Sequence, residues 1–302
     1  MKISSLYNAI CRGKWFISFG EVESNSVLIG KMIERGMDME DNRKRSDIEP
    51  LSFRFATSAS AKSGNSFADA PEGSTVIIPL HGTMLKYGTY CSYGTCELAD
   101  LMKQAADTPN IMSVLLDIDS GGGSVDAIAP LIDAIKYAKS KGKPVVAHCD
   151  LCASAAYYVA CHCDEIIASN AISSEFGSIG VMMSFADYTK YYENSGVKQH
   201  TVYSNHSDYK NAPFEAAKAG DYTRIREEEL DPLALSFQAA VKANRPNLNL
   251  DTEGILRGKM FYAEEACKVG LADSIGNRET AIKRCKEHAD KMLINDYINS
   301  NL

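Results

Sequence analysis

Two apolar runs, Ile111 to Ile118 and Pro144 to His148, each lead into a stretch of small residues and then into a helical pattern. An uninterrupted apolar run suits a strand covered on both faces, and covering helices between such strands make the strands parallel. The same alternation extends in both directions. Thr75 to Leu80 predicts a strand and Cys96 to Ala106 a helix with Leu98, Leu101, Met102 and Ala105 on one side. A turn over Asp119 to Gly123 opens a helix over Val125 to Lys139. Further on come a strand over Glu165 to Ala168, a Gly-rich stretch from Phe176 to Met182, a helix over Asp187 to Ser195 and a strand over Lys198 to Tyr203. Ile225, Leu230, Leu233, Phe237 and Val241 mark a long amphipathic helix. The fold class is therefore α/β with mainly parallel strands, and sites in such folds gather at the carboxyl ends of strands.

The chain's two ends read differently. Met1 to about Gly36 shows loose helical spacing, and Met37 to Ser74 is a polar, Ser- and Ala-rich linker. This divides the chain into a helical arm and linker over 1–74, a compact domain over 75–285 and a tail over 286–302. A net charge of −7 over 302 residues, with no basic stripe, argues against nucleic-acid binding. No run approaches the length of a membrane span, and the N-terminus lacks an apolar signal-peptide core, so the expected location is the cytoplasm. Nine cysteines without an export signal imply reduced thiols. Cys149, Cys152, Cys161 and Cys163, with His148 and His162 beside them, do not follow a standard zinc spacing. No metal and no cofactor is expected.

Ser154 stands at the strand-to-helix junction in Leu151-Cys152-Ala153-Ser154-Ala155-Ala156-Tyr157-Tyr158. One reading is a helix N-cap, whose side chain accepts a backbone N–H bond. The other is a nucleophile above the helix N-terminus, where free N–H groups favour a developing oxyanion. The Asp119-Ser120-Gly121-Gly122-Gly123-Ser124 turn equally suits a tight turn, an anion cradle or half of an oxyanion hole. It lacks the terminal Gly-Lys-Ser/Thr of a P-loop. A nucleophilic serine needs a base, and His148, His206 and Lys210 are the candidates; no Gly-x-Ser-x-Gly elbow surrounds Ser154.

The ordered set of Asp-Ser-Gly-Gly-Gly, Cys-Ala-Ser-Ala-Ala-Tyr-Tyr-Val-Ala, Gly-Ser-Ile-Gly-Val-Met-Met, a lysine loop, and then Gly258-Lys259-Met260-Phe261-Tyr262-Ala263 with Val269-Gly270-Leu271-Ala272-Asp273 resembles the signal peptide peptidase A family of serine proteases. It is most similar to the tailed-phage members that process capsid precursors, and the likeness covers about Thr75 to Asp273. The resemblance implies a Clp protease/crotonase-like fold of repeated strand–strand–helix units, here with an N-terminal helical arm and a helical C-terminal part. It implies Ser154 as nucleophile, Lys210 as general base, and the N–H groups of Gly123 and Ala155 as the oxyanion hole, with Gly122 shaping the turn. A polypeptide substrate, such as a capsid or scaffold protein, and a homo-oligomer are likewise implied; a metal, cofactor, nucleic acid or membrane is not. Three positions depart from the family pattern: Gly121 stands where a proline is usual, Ala155 where glycine is common, and an ungapped match to the phage members brings Asp208, not Lys210, to the lysine position. Two alternatives stay open: a crotonase-like acyl-CoA hydratase or isomerase, and a catalytically degenerate assembly scaffold. The polar stretch before Thr75 is also a candidate self-cleavage region.

Overall fold

The computed structural model describes residues 14–17, 53–57, 61–64, 66–88, 92–185, 187, 189–198 and 200–301. Twelve strands are found among these: β1 (Lys14–Ile17), β2 (Phe53–Ala56), β3 (Ala61–Gly64), β4 (Ser74–His81), β5 (Ile111–Ser120), β6 (Gly122–Ser124), β7 (Val145–Ala153), β8 (Glu165–Ala168), β9 (Glu175–Gly177), β10 (Met182–Met183), β11 (Met260–Tyr262) and β12 (Ser274–Ile275). The α-helices are α1 (Thr95–Asp107), α2 (Ile128–Ser140), α3 (Ala155–Ala160), α4 (Thr189–Asn194), α5 (Ala212–Lys218), α6 (Asp231–Asn244), α7 (Ala263–Val269) and α8 (Arg278–Asn301).

Nine strands form the main sheet. Its path runs β11-β9-β7-β5-β4-β2-β3, with β8 on the first half of β7 and β12 on β8. β4, β5, β7, β8 and β9 pair in parallel, as the apolar runs predict. Both faces are covered, and the strand period assigns side chains to each. Val114, Leu116 and Ile118 of β5 join the large core with Leu101 and Met102 of α1, Leu131 and Ile135 of α2 and Phe237 and Val241 of α6. Leu115, with Ile77 of β4 and Val146 of β7, faces the other way, against Ala281, Ile282 and Cys285 of α8. Single-residue alternation between two buried faces is why these strands read as continuous apolar runs.

Several expectations change. Lys14–Ile17 is a strand where the spacing predicts a helix; the rest of the 1–36 stretch lies outside the described residues. Within the predicted linker, β2 and β3 form an antiparallel pair, β2 pairs with β4, and Phe55 is buried, so the sheet reaches back beyond Thr75. β7 continues to Ala153, directly before Ser154, because β9 takes over from β8 as its partner. Lys198 to Tyr203 forms no strand among its described residues, and Val202 is 90% exposed, without the burial that would favour an extended pairing. The predicted amphipathic helix starts as a π-helical turn over Ile225–Leu230 and becomes α6 at Asp231, with Pro232 in its first turn, where a missing N–H costs nothing. The predicted tail is the continuation of α8.

On the α8 side, Asp117 of β5 organises a charged cluster. Its carboxylate lies 3.4 Å from His148 Nδ1, 2.6 Å from the Arg278 guanidinium and 3.7 Å from His81 Nε2. Burial works to raise the Asp117 carboxyl, but His148, His81 and the charge of Arg278 outweigh it and hold it well below the usual carboxylate range. A depressed carboxyl contributes stability that is present above its unfolded pKa of about 3.9 and is lost as pH falls through the folded value. Asp117→Asn is therefore expected to cost about 2–3 kcal/mol at pH 7. In urea denaturation the gap between variant and parent should close as the pH is taken well below 4; a gap independent of pH contradicts this.

Candidate active site

Ser154 is held by its backbone on both sides. Its N–H donates to Gly177 O at 2.9 Å, and its carbonyl accepts from Tyr158 N–H at 2.9 Å, closing the first turn of α3. Its φ of 52° and ψ of −117° lie in a region that side-chain-bearing residues rarely occupy. The residue is 1% exposed. Its hydroxyl makes no capping bond to α3, which removes the physical basis of the helix-cap reading. A non-glycine residue kept in such a conformation costs about 1–3 kcal/mol and persists only where surrounding contacts over-determine it. Here those contacts are the end of β7, the Gly177 carbonyl and the start of α3.

Ala155 opens α3, and the N–H groups of a helix's first turn have no acceptor within the helix. β6 lies against α3. Its backbone is fixed from one side by Met84, whose N–H donates to Gly122 O at 2.8 Å and whose carbonyl accepts from Ser124 N–H at 2.9 Å. Because N–H and C=O alternate along an extended strand, the N–H and C=O of Gly123 point to the opposite edge of β6. Glycine is required here for two separate reasons. Gly122 has φ 106°, and a Cβ on Gly123 would stand 2.1 Å from Met84 O. Upstream, Ser120 Oγ donates to Gly82 O at 2.5 Å and accepts from Gly122 N–H at 3.2 Å, so the loop is pinned before it reaches β6.

Among the described residues, none of the predicted bases is hydrogen-bonded to the Ser154 hydroxyl. His148 has both ring nitrogens engaged, toward Asp117 Oδ1 and toward Gly276 O at 3.1 Å, and serves the α8 cluster. His206 is exposed, with its N–H on Ser204 Oγ. Lys210 is exposed, in a turn closed by its N–H to Ser207 O at 3.1 Å, just before Asn211 at φ 59° and the start of α5. No hydrogen bond joins Lys210 to Ser154. Gly122 and Gly123 thus lie on a strand packed against the helix that Ala155 opens directly after Ser154, while Lys210 stands exposed in its own turn.

The cysteines at the junction are packing residues. Burial pushes the Cys149 and Cys163 thiols well above their ordinary range and Cys161 up to about 12, which keeps them protonated and poor ligands. Among the described residues no group of His, Cys, Asp and Glu is placed to hold a metal ion, and no helix is long and apolar enough to cross a membrane. The Met84 clamp and the Gly177 carbonyl were not foreseeable from the motif, since both partners come from distant chain positions.

Residues 137–291, which include the Ser154 junction, β9 and the Lys210 loop, match the profile of peptidase family S49. The chain belongs to peptidase family S49. Among its relatives, the head-tail preconnector protein GP5 of Enterobacteria phage P21 is 31% identical over 212 residues, covering 68% of this chain and 41% of that protein. The capsid assembly protease C of Escherichia phage lambda is 28% identical, covering 71% of this chain and 49% of that one. The chain spans about half the length of these curated relatives. A solved structure of the 1510-N membrane-bound stomatin-specific protease, in complex with a substrate peptide, aligns with a TM-score of 0.43 at 16% identity, over 70% of this chain and 78% of that one. Membership in S49 agrees with the peptidase family that the ordered sequence motifs resemble.

Proposed function

We propose that this S49 peptidase chain is a serine endopeptidase that uses Ser154 as nucleophile, Lys210 as general base, and the N–H groups of Gly123 and Ala155 as oxyanion donors. The observation that carries this reading is Ser154 itself: a buried serine in a strained conformation, without a capping bond, at the mouth of a helix and beside a glycine strand. A structural serine has no reason to hold that backbone. In the reaction, Lys210 in its neutral form takes the Ser154 hydroxyl proton, and the oxygen adds to a peptide carbonyl. The resulting oxyanion is stabilised by the two backbone N–H groups, and the lysine returns the proton to the leaving amine. Water then hydrolyses the acyl-enzyme. Gly122 serves by its conformation, turning β6 so that Gly123 N–H faces the pocket.

For Lys210 to act, its ammonium has to leave water and reach Ser154, since desolvation is what disfavours the charged form. The segment that carries it suits docking against another surface. Tyr191, Val197, Val202 and Tyr209 are all more than half exposed on it. We therefore assign the active form to a homo-oligomer in which this segment is covered and the lysine is delivered to the serine. The name of the phage lambda relative, a capsid assembly protease, supports a capsid or scaffold polypeptide as substrate, and we place its cleavage in the host cytoplasm or within an assembling capsid. The compact unit in this account is wider than 75–285, since β2 and β3 extend its sheet and α8 runs unbroken through 285.

Lys210→Ala is expected to lower the rate of cleavage of denatured casein by about a hundredfold or more. A variant that digests casein as fast as the parent removes Lys210 from the mechanism.

A further inference from the structure

β1 is not part of the main sheet. It is the central strand of a separate three-stranded sheet, lying between β6 and β10 and antiparallel to both. Its register sets Trp15 opposite Ser124, Phe16 opposite Gly123 and Ile17 opposite Gly122 on one side, and Lys14 opposite Met183 and Trp15 opposite Met182 on the other. Antiparallel pairs alternate between those that exchange two hydrogen bonds and those that exchange none. Gly122 O and Ser124 N–H are already used by Met84. Gly123 is therefore the hydrogen-bonding residue on the free edge of β6, and its partner is Phe16. The N–H assigned above to the oxyanion is directed at the Phe16 carbonyl.

An extended peptide that adds a strand to an open sheet edge is a general mode of polypeptide recognition, in which main-chain bonds supply the affinity. β6 and β10 leave room for one such strand between them, and the chain fills it with its own residues 14–17. We propose that Lys14–Ile17 is a tethered occupant of the substrate-strand position, so that the N-terminal segment closes the site to other polypeptides until it is displaced. The inference rests on the assignment of Gly123 and Ser154 to the catalytic pocket. The partner that displaces the segment is an extended, unfolded stretch of polypeptide running antiparallel to β6. Covalent attachment gives the resident segment an effective concentration on the order of millimolar, so a free peptide of equal intrinsic affinity is excluded below that level.

The test measures binding and needs no chemistry. The full chain carrying Ser154→Ala is titrated against a fluorescein-labelled peptide copying residues 12–20, followed by anisotropy, and compared with the same chain carrying Phe16→Pro in addition. Proline at 16 removes the N–H that pairs with the Gly123 carbonyl and disfavours a central strand position. The double variant is expected to bind the peptide at least about tenfold more tightly than the single one. Replacing residues 14–17 together by Gly-Ser-Gly-Ser provides a second route to the same release, should the proline variant fold poorly. Equal binding with and without these changes, or no binding in any of the three chains, overturns the proposal. Because Ser154 is absent throughout, such a failure leaves the peptidase reading standing; that reading fails separately, if the parent chain cuts casein without needing Ser154.

Discussion

Ser154→Ala is expected to lower peptide cleavage by about ten-thousandfold or more, since in the proposed mechanism its hydroxyl is the attacking group. It leaves stability within about 0.5 kcal/mol of the parent, because alanine retains the Cβ that makes φ 52° unfavourable. Ser154→Gly is equally inactive but differs in stability. Relief of backbone strain is worth about 1–3 kcal/mol, and the extra unfolded-state freedom of glycine costs about 0.5–1 kcal/mol. The glycine variant should therefore gain roughly 1 kcal/mol, a rise in melting temperature of about 2–4 °C for a chain of this size. Differential scanning calorimetry on the three proteins separates the roles. An alanine variant that keeps its activity sinks the nucleophile. A glycine variant no more stable than the alanine one means that the backbone is not strained for function. The trade of stability for a positioned reactive group is the expected pattern at catalytic sites.

Gly123→Ala should be damaging in two ways at once. The new Cβ meets the Met84 carbonyl at 2.1 Å and its nitrogen at 2.6 Å, and both are main-chain atoms that cannot rotate away. Either β6 moves off Met84 and gives up the bonds at Gly122 and Ser124, or the segment around Met84 moves. We expect a stability loss of about 3 kcal/mol or more. Displacing Gly123 N–H also removes one of the two proposed oxyanion donors, and the expected loss is about a hundredfold or more in rate. Gly180→Ala is the matched control. It lies in the neighbouring Gly-Ser-Ile-Gly stretch, and its Cβ would find only Gly258 Cα, at 4.0 Å. That variant should stay within about 0.5 kcal/mol of the parent. If the two alanine variants unfold at the same urea concentration, the Met84 clamp is not the constraint described here.

Much of this was legible in the chain because it is local. The parallel core strands follow from apolar runs buried on two faces, and a strand, small residues and a helix in succession mark the Ser154 junction, where the choice of nucleophile over helix cap comes from the family resemblance. The glycine turn announces that side chains are unwelcome, though not that Met84 is the reason. What was not legible depends on partners far away in sequence. Lys14–Ile17 has helical spacing only when read alone, and two strand edges from elsewhere in the chain make it a strand. β2 and β3 sit in polar sequence that resembles a linker, yet the edge of β4 offers them main-chain partners. His148 looks like a base until Asp117 and the Gly276 carbonyl claim both of its nitrogens. Lys210 is the converse case. Its place in the motif order suggests a role, whereas its exposure in a single chain does not supply the desolvation that role requires.

The most direct test of the central claim is the site of acylation. The parent chain is treated with a peptide-linked β-lactone, which forms an ester with an activated hydroxyl, and the tryptic peptides are mapped by mass spectrometry. The account predicts one acyl group, on Ser154, lost in Ser154→Ala and strongly reduced in Lys210→Ala. An acyl group on another residue, such as Ser178 with its φ of 53°, or none in a chain that cleaves casein, contradicts it.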